Sequence, residues 1–123
     1  MANRWFQQFI LCLDKKPVKV FGKLVVGSTG AVTSGTGNGI ASIARSAQGD
    51  YLVTLTDAFS AFLSFSAVHL VATGEDLVCQ VKAVDPAAKT LSFFTNTHAT
   101  PTDPASGTVI YFEITYRNSS VER

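Results

Sequence analysis

The stretch Gly39–Leu63, GIASIARSAQGDYLVTLTDAFSAFL, decides the fold. Ile40 to Arg45 is β-prone, and Ser46-Ala47-Gln48-Gly49-Asp50 is rich in turn residues. From Tyr51 to Thr56 the chain alternates. Tyr51, Val53 and Leu55 share one face and Leu52, Thr54 and Thr56 the other, the period of a half-buried strand. A Gly-containing loop between two such segments predicts a β-hairpin. Asp57 then stands where a helix N-cap belongs, and Phe59, Phe62 and Leu63 repeat at i, i+3, i+4. That spacing predicts a single helical turn pressing three apolar side chains inward.

The same two signals, alternation and turn residues, extend along the chain. After Pro17, Val18, Val20 and Phe21 to Val26 read as a strand with Lys19 and Lys23 on one side. Ser28 to Gly39, broken by Gly30, Gly35, Gly37 and Gly39, reads as a loop. Phe65 to Ala72 resumes β character, and Thr73 to Asp76 turns the chain. Leu77 to Val84 pairs with Thr90 to Thr95 across Asp85-Pro86-Ala87-Ala88-Lys89. Asn96 to Gly107 reads as a second loop. Thr108 to Arg117 is a strand with Ile110, Phe112, Ile114 and Tyr116 on one face and Tyr111, Glu113, Thr115 and Arg117 on the other. The expected class is all-β: an antiparallel β-sandwich or barrel of seven to eight short strands with one short helical turn. Residues 1–16 form an N-terminal strand or arm, and 17–123 a single β domain.

Composition narrows the function classes. The chain has 123 residues, 46% apolar but only 15% charged, with a formal charge of +1. The charged fraction is below the roughly 25% usual in soluble domains. Such a chain either has a large core or hides surface against partners. Ten scattered Lys and Arg residues do not make a nucleic-acid face, so no nucleic-acid partner is expected. No run approaches the ~20 apolar residues of a membrane helix, and Phe9-Ile10-Leu11-Cys12-Leu13 is too short for a signal peptide. No membrane partner is expected either, and the chain reads as soluble and made in the cytoplasm. Cys12 and Cys79 are read as free, buried thiols.

Reaction chemistry is sparse. His69 lies in an expected strand and His98 in a loop, with no nucleophile-elbow motif near either. Glu75-Asp76 is the one close carboxylate pair, and on a turn such a pair is solvated. There is no Cys/His cluster or calcium loop, and Gly35-Thr36-Gly37-Asn38-Gly39 lacks the Lys and the following helix of a phosphate loop. Asp50, Asp57, Asp85 and Asp103 sit beside turns, where Asp bonds nearby backbone N–H groups. No catalytic residue, metal or cofactor is expected.

Residues Gly37 to Phe59 have the form G-x-G-[IV]-A-S-[IV]-x-R-x-x-x-G-D-Y-x-[IV]-T-L-x-D-x-[FY]. The flanks Arg4-Trp5-Phe6-Gln7-Gln8-Phe9, Leu24-Val25-Val26-Gly27 and Thr102-Asp103-Pro104-Ala105-Ser106-Gly107, with Asn118-Ser119-Ser120, follow the same pattern. In these stretches the chain resembles a family of small structural proteins from the virions of tailed bacteriophages. The resemblance implies a non-enzymatic capsid decoration or cement protein on the capsid surface, made in the host cytoplasm, with the major capsid protein as partner. Shell symmetry then implies a homo-oligomer, a trimer first. The alternative is a head-fibre or tail host-recognition module binding glycan. The candidate interface residues are Trp5, Phe6, Phe9, Gly30, Gly35, Gly37, Phe94 and Tyr111. The first three supply apolar surface ahead of the first turn, the glycines a loop, and the last two aromatics on faces opposite the core stripes.

Overall fold

A computed structural model describes residues 17–71, 74, 77–98 and 100–117. Nine strands are found among them: β1 (Pro17–Val26), β2 (Val32–Thr36), β3 (Ile40–Ala47), β4 (Asp50–Leu55), β5 (Ala61–Leu70), β6 (Val78–Asp85), β7 (Thr90–Thr97), β8 (Thr100–Pro101) and β9 (Val109–Arg117). They form two antiparallel sheets packed face to face, an all-β sandwich. The first sheet has the order β2-β1-β9-β5, and the second β3-β4-β7-β6 with the short β8 beside β7. Hairpins make β1–β2, β3–β4 and β6–β7, while β2 to β3 and β5 to β6 pass from an edge of one sheet to an edge of the other.

Alternation builds the core between the sheets. The first sheet contributes Val20, Leu24 and Val26 from β1 and Ile110, Phe112, Ile114 and Tyr116 from β9. The second contributes Tyr51, Val53 and Leu55 from β4 and Leu91 and Phe93 from β7. Rings bridge the layers: Phe93 lies 5.9 Å from Phe112 and 5.4 Å from Phe65, centroid to centroid. Such offset aromatic pairs add to the area they bury.

The expected hairpin at 40–56 is present, with a tighter connection: Ala47 and Asp50 pair directly, so Gln48-Gly49 alone makes the turn. The β6–β7 connection is Pro86–Lys89, where Asp85 Oδ1 accepts the Ala88 N–H at 3.1 Å, the local bonding expected of a turn Asp. Three expectations need correction. The helical turn at 58–63 does not form; the lone 3-10 turn is Ser28–Gly30, and residues from Ala61 onward are strand β5. The register of β5 on β9 shifts between Phe62 and Ser64, a bulge that places Phe62 opposite Tyr116 and Phe65 opposite Ile114. Both rings therefore reach the core three positions apart, which mimics helical spacing. Phe59 packs beside them, 4.8 Å from Tyr116. Second, Ser28 to Gly39 contains strand β2, held by pairing with Lys23–Val26 although its Val-Thr-Ser-Gly-Thr sequence has little apolar pattern. Third, Asn96 to Gly107 is shortened by the extension of β7 to Thr97 and by β8. The expected arm at 1–16, the Thr73–Asp76 turn and Asn118-Ser119-Ser120 lie wholly or mostly outside the described residues.

One close approach is built into the first sheet. Gly22 pairs with Phe112, and a Cβ at Gly22 would lie 2.3 Å from Phe112 Cζ and 2.7 Å from Ile40 Cδ1. The Phe112 ring thus fills the place where the neighbouring strand lacks a side chain. Gly22→Ala forces that buried ring aside and is expected to cost about 1–3 kcal/mol. Urea unfolding of the variant should give a lower midpoint at an unchanged slope.

Candidate functional site

The residues that carry the sequence motif meet at one end of the sandwich. The side chain of Arg45, on β3, donates from Nε to Asp103 Oδ1 at 3.0 Å and from Nη2 to Oδ2 at 2.8 Å. Gly49 N–H, in the β3–β4 turn, donates to the same Oδ1 at 2.8 Å. Asp103 itself lies in the segment after β8, which is tied to β7 by Thr102 N–H to Thr95 O and by Thr95 Oγ1 to Thr102 O. On its other side Asp103 packs against Gly30, where φ is +75° and a Cβ would fall 2.3 Å from Cγ. Gly30 O in turn accepts the Tyr51 hydroxyl at 2.7 Å in a fully buried contact. Gly49 is fixed by two constraints: φ is +64°, and a Cβ would meet Thr102 N at 2.5 Å. Four separate segments are latched through one carboxylate and one phenol.

Electrostatics follow from this geometry. The guanidinium of Arg45 and the N–H of Gly49 hold the Asp103 carboxyl below its ordinary range, and the Arg45 pKa is raised in return. Burial, helped by the nearby Asp103 charge, pushes the Tyr51 phenol up to about 12.

The two outer faces differ. On the first sheet, register stacks Phe21, Glu113 and Ser66 in one row, Lys23, Tyr111 and Val68 in the next, and Val25, Val109 and Leu70 in a third. Phe21 is 60% exposed, Val68 66%, Leu70 59% and Tyr111 44%, so this face carries an apolar patch open to solvent among the described residues. A shallow groove of about 210 Å³ runs between Phe21, Ala67, Val68 and Tyr111. Lys23 Nζ stands 6.0 Å from the Tyr111 ring, and Lys19 pairs with Glu113 at 2.7 Å. On the second sheet the equivalent surface is closed. Lys82 reaches across Phe94, 5.4 Å from its ring, to Asp50 Oδ2 at 2.7 Å, and Asn96 Nδ2 donates to Gln80 Oε1.

The candidate interface residues therefore do not form one surface. Tyr111 is exposed on the first sheet, whereas Phe94 is half-buried on the second, on opposite faces of the sandwich. Gly30 is buried in the latch. Gly35 is half-buried in β2 against Ile43, and Gly37 is exposed beside the Phe21 carbonyl. Trp5, Phe6 and Phe9 lie outside the described residues. The latch partners Arg45 and Asp103 are far apart in sequence, and no local signal joins them. Phe21 was legible, being in phase with Lys19 and Lys23 on β1. Cys79 Sγ lies 3.6 Å from His69 Nε2 across the two sheets, but burial pushes the thiol up to about 12, so a thiolate nucleophile is disfavoured. The Cys79 thiol is free, as expected. Among the described residues no group of three His, Cys, Asp or Glu could hold a metal ion, and no helix is long and apolar enough to cross a membrane. Compared with protein-family models, curated proteins and solved structures, the chain matches none.

Two outcomes follow from the latch. Because the folded pKa of Asp103 is depressed, its contribution is complete above the unfolded value near 3.9 and is lost as pH falls through the folded one. Asp103→Asn should cost about 1 kcal/mol at pH 7, allowing for screening of the part-exposed ion pair, and the gap to the parent should close between pH 4 and 2 in urea titrations. Tyr51→Phe leaves the buried Gly30 carbonyl without its donor and should cost about 1–2 kcal/mol at both pH values.

Proposed function

We propose that the chain is a non-enzymatic virion structural protein, a capsid decoration or cement subunit that binds the assembled lattice of a major capsid protein as a homo-oligomer, a trimer first. The observation that carries the reading is where the distinctive motif residues go. Arg45, Gly49 and Tyr51, with Asp103 from the closing stretch, are engaged in latching the sandwich together. A motif that serves the scaffold suits a protein whose task is to be a rigid, well-shaped body. The mechanism is mass action: a subunit that binds only the assembled shell stabilises it, by about 2.7 kcal/mol per site at a concentration of 100 Kd. That stabilisation opposes internal genome pressure and heat.

The glycan-binding alternative needs exposed aromatics with polar groups placed to meet sugar hydroxyls. The open groove does have Tyr111 and Phe21, but Ser66 and Glu113 are the polar side chains among its lining. A mostly apolar lining suits a polypeptide better than a sugar.

A quantitative gel of purified virions tests the assignment. The expected result is a band near one copy per major capsid protein, or a simple fraction such as one third. A ratio of a few per cent moves the protein to a tail or head fibre. Absence from the particle removes both readings.

A further inference from the structure

The outer face of the first sheet is apolar, and the sequence supplies a segment of matching length to cover it. We infer that residues 1–16 of the same chain fold back over this face as a third layer, seating the Trp5–Leu13 run on Phe21, Val68 and Tyr111.

The face itself is the first argument. Phe21, Val68 and Leu70 are each more than half exposed and Tyr111 nearly so, on three adjacent strands in register. Burying such a patch is favourable at about 25 cal/mol per Å² of apolar surface. The second sheet, by contrast, shields its outer aromatic with its own Lys82.

Reach is the second argument. Pro17 begins β1 opposite Arg117, and the rows of the face run from Lys19 to Val25. Packed layers stand about 10 Å apart, and three extended residues span about that distance. The three residues before Pro17 are Asp14-Lys15-Lys16, polar and suited to the exposed step between layers. Lys16, preceding a proline, favours an extended conformation. Beyond the step, Leu13 back to Trp5 spans about 27 Å if extended, against about 20 Å from Lys19 to Val25. Phe9, Leu11 and Leu13 share one strand phase and meet the sheet together.

The tether decides between this chain and a second copy. A short linker gives an effective concentration in the millimolar range, so the chain's own segment occupies the face before a neighbour's does. The inference stands apart from the capsid assignment, since it concerns the free subunit.

Two measurements on the full chain test it. Trp5 is the only tryptophan. In the unmodified protein its emission should be blue-shifted and protected from acrylamide, and Val68→Asp, at an exposed position, should shift it red. Fully solvated emission from the folded parent overturns the inference. For the second, Cys79→Ala leaves Cys12 as the native thiol. With Ser66→Cys added beside the groove, a short bismaleimide should give an intrachain link about tenfold faster than with Ser42→Cys on the opposite sheet. Predominantly interchain links would assign the face to a second copy and overturn the intrachain seat, as would equal rates at the two positions.

Discussion

Asp103 accepts hydrogen bonds from the Gly49 N–H and the Arg45 guanidinium while its Cβ and Cγ press on Gly30, whose carbonyl receives the Tyr51 hydroxyl. The β3–β4 turn, the segment after β8 and the 3-10 turn between β1 and β2 are thereby held in one place. Both sheets meet there, because Gly30 follows β1 of the first and Tyr51 belongs to β4 of the second. A partly buried carboxylate with backbone and guanidinium partners is worth more than an exposed ion pair, since few of its contacts compete with water. The latch also requires glycine at two points, Gly30 and Gly49, where a side chain would collide with Asp103 or with the Thr102 backbone.

With that end secured, the sandwich treats its two outer faces differently. The second sheet closes its own surface: Lys82 lies over Phe94 and ends on the buried Asp50 carboxylate, an arrangement that combines a cation–π contact with an ion pair. The first sheet leaves Phe21, Val68, Leu70 and Tyr111 open. A domain whose core is complete gains nothing in its own fold from such a patch, and contiguous exposed apolar surface marks a contact. The apolar excess and low charge of the chain are accounted for in part by this face, and the low-charge, Phe-rich composition already pointed to a hidden surface.

Much of the fold was legible, and its failures were specific. Strict alternation in Tyr51–Leu55 and Ile110–Tyr116 named the core residues of β4 and β9, because one face of each strand is buried and register follows the period of two. The i, i+3 spacing of Phe59, Phe62 and Phe65 misled, since a bulge after Phe62 resets the phase of a strand and imitates a helical stripe. Strand β2 was invisible because its pairing with β1, and not its own residues, makes it a strand. Of the site, the glycines and turn Asp residues could be identified as turn makers. That Arg45, fifty-eight positions from Asp103, would meet it could not.

The sequence by itself determined the class, the hairpins and the inward stripes, because those depend on neighbours two to five residues apart and on the local chemistry of turns. Tertiary structure alone decided which strands share a sheet, that Phe94 and Tyr111 face opposite ways, and that one carboxylate joins the ends of several segments. These are outcomes of pairing between residues distant in the chain. Side-chain alternation says which way a residue points relative to its own strand, and says nothing about which sheet that strand joins.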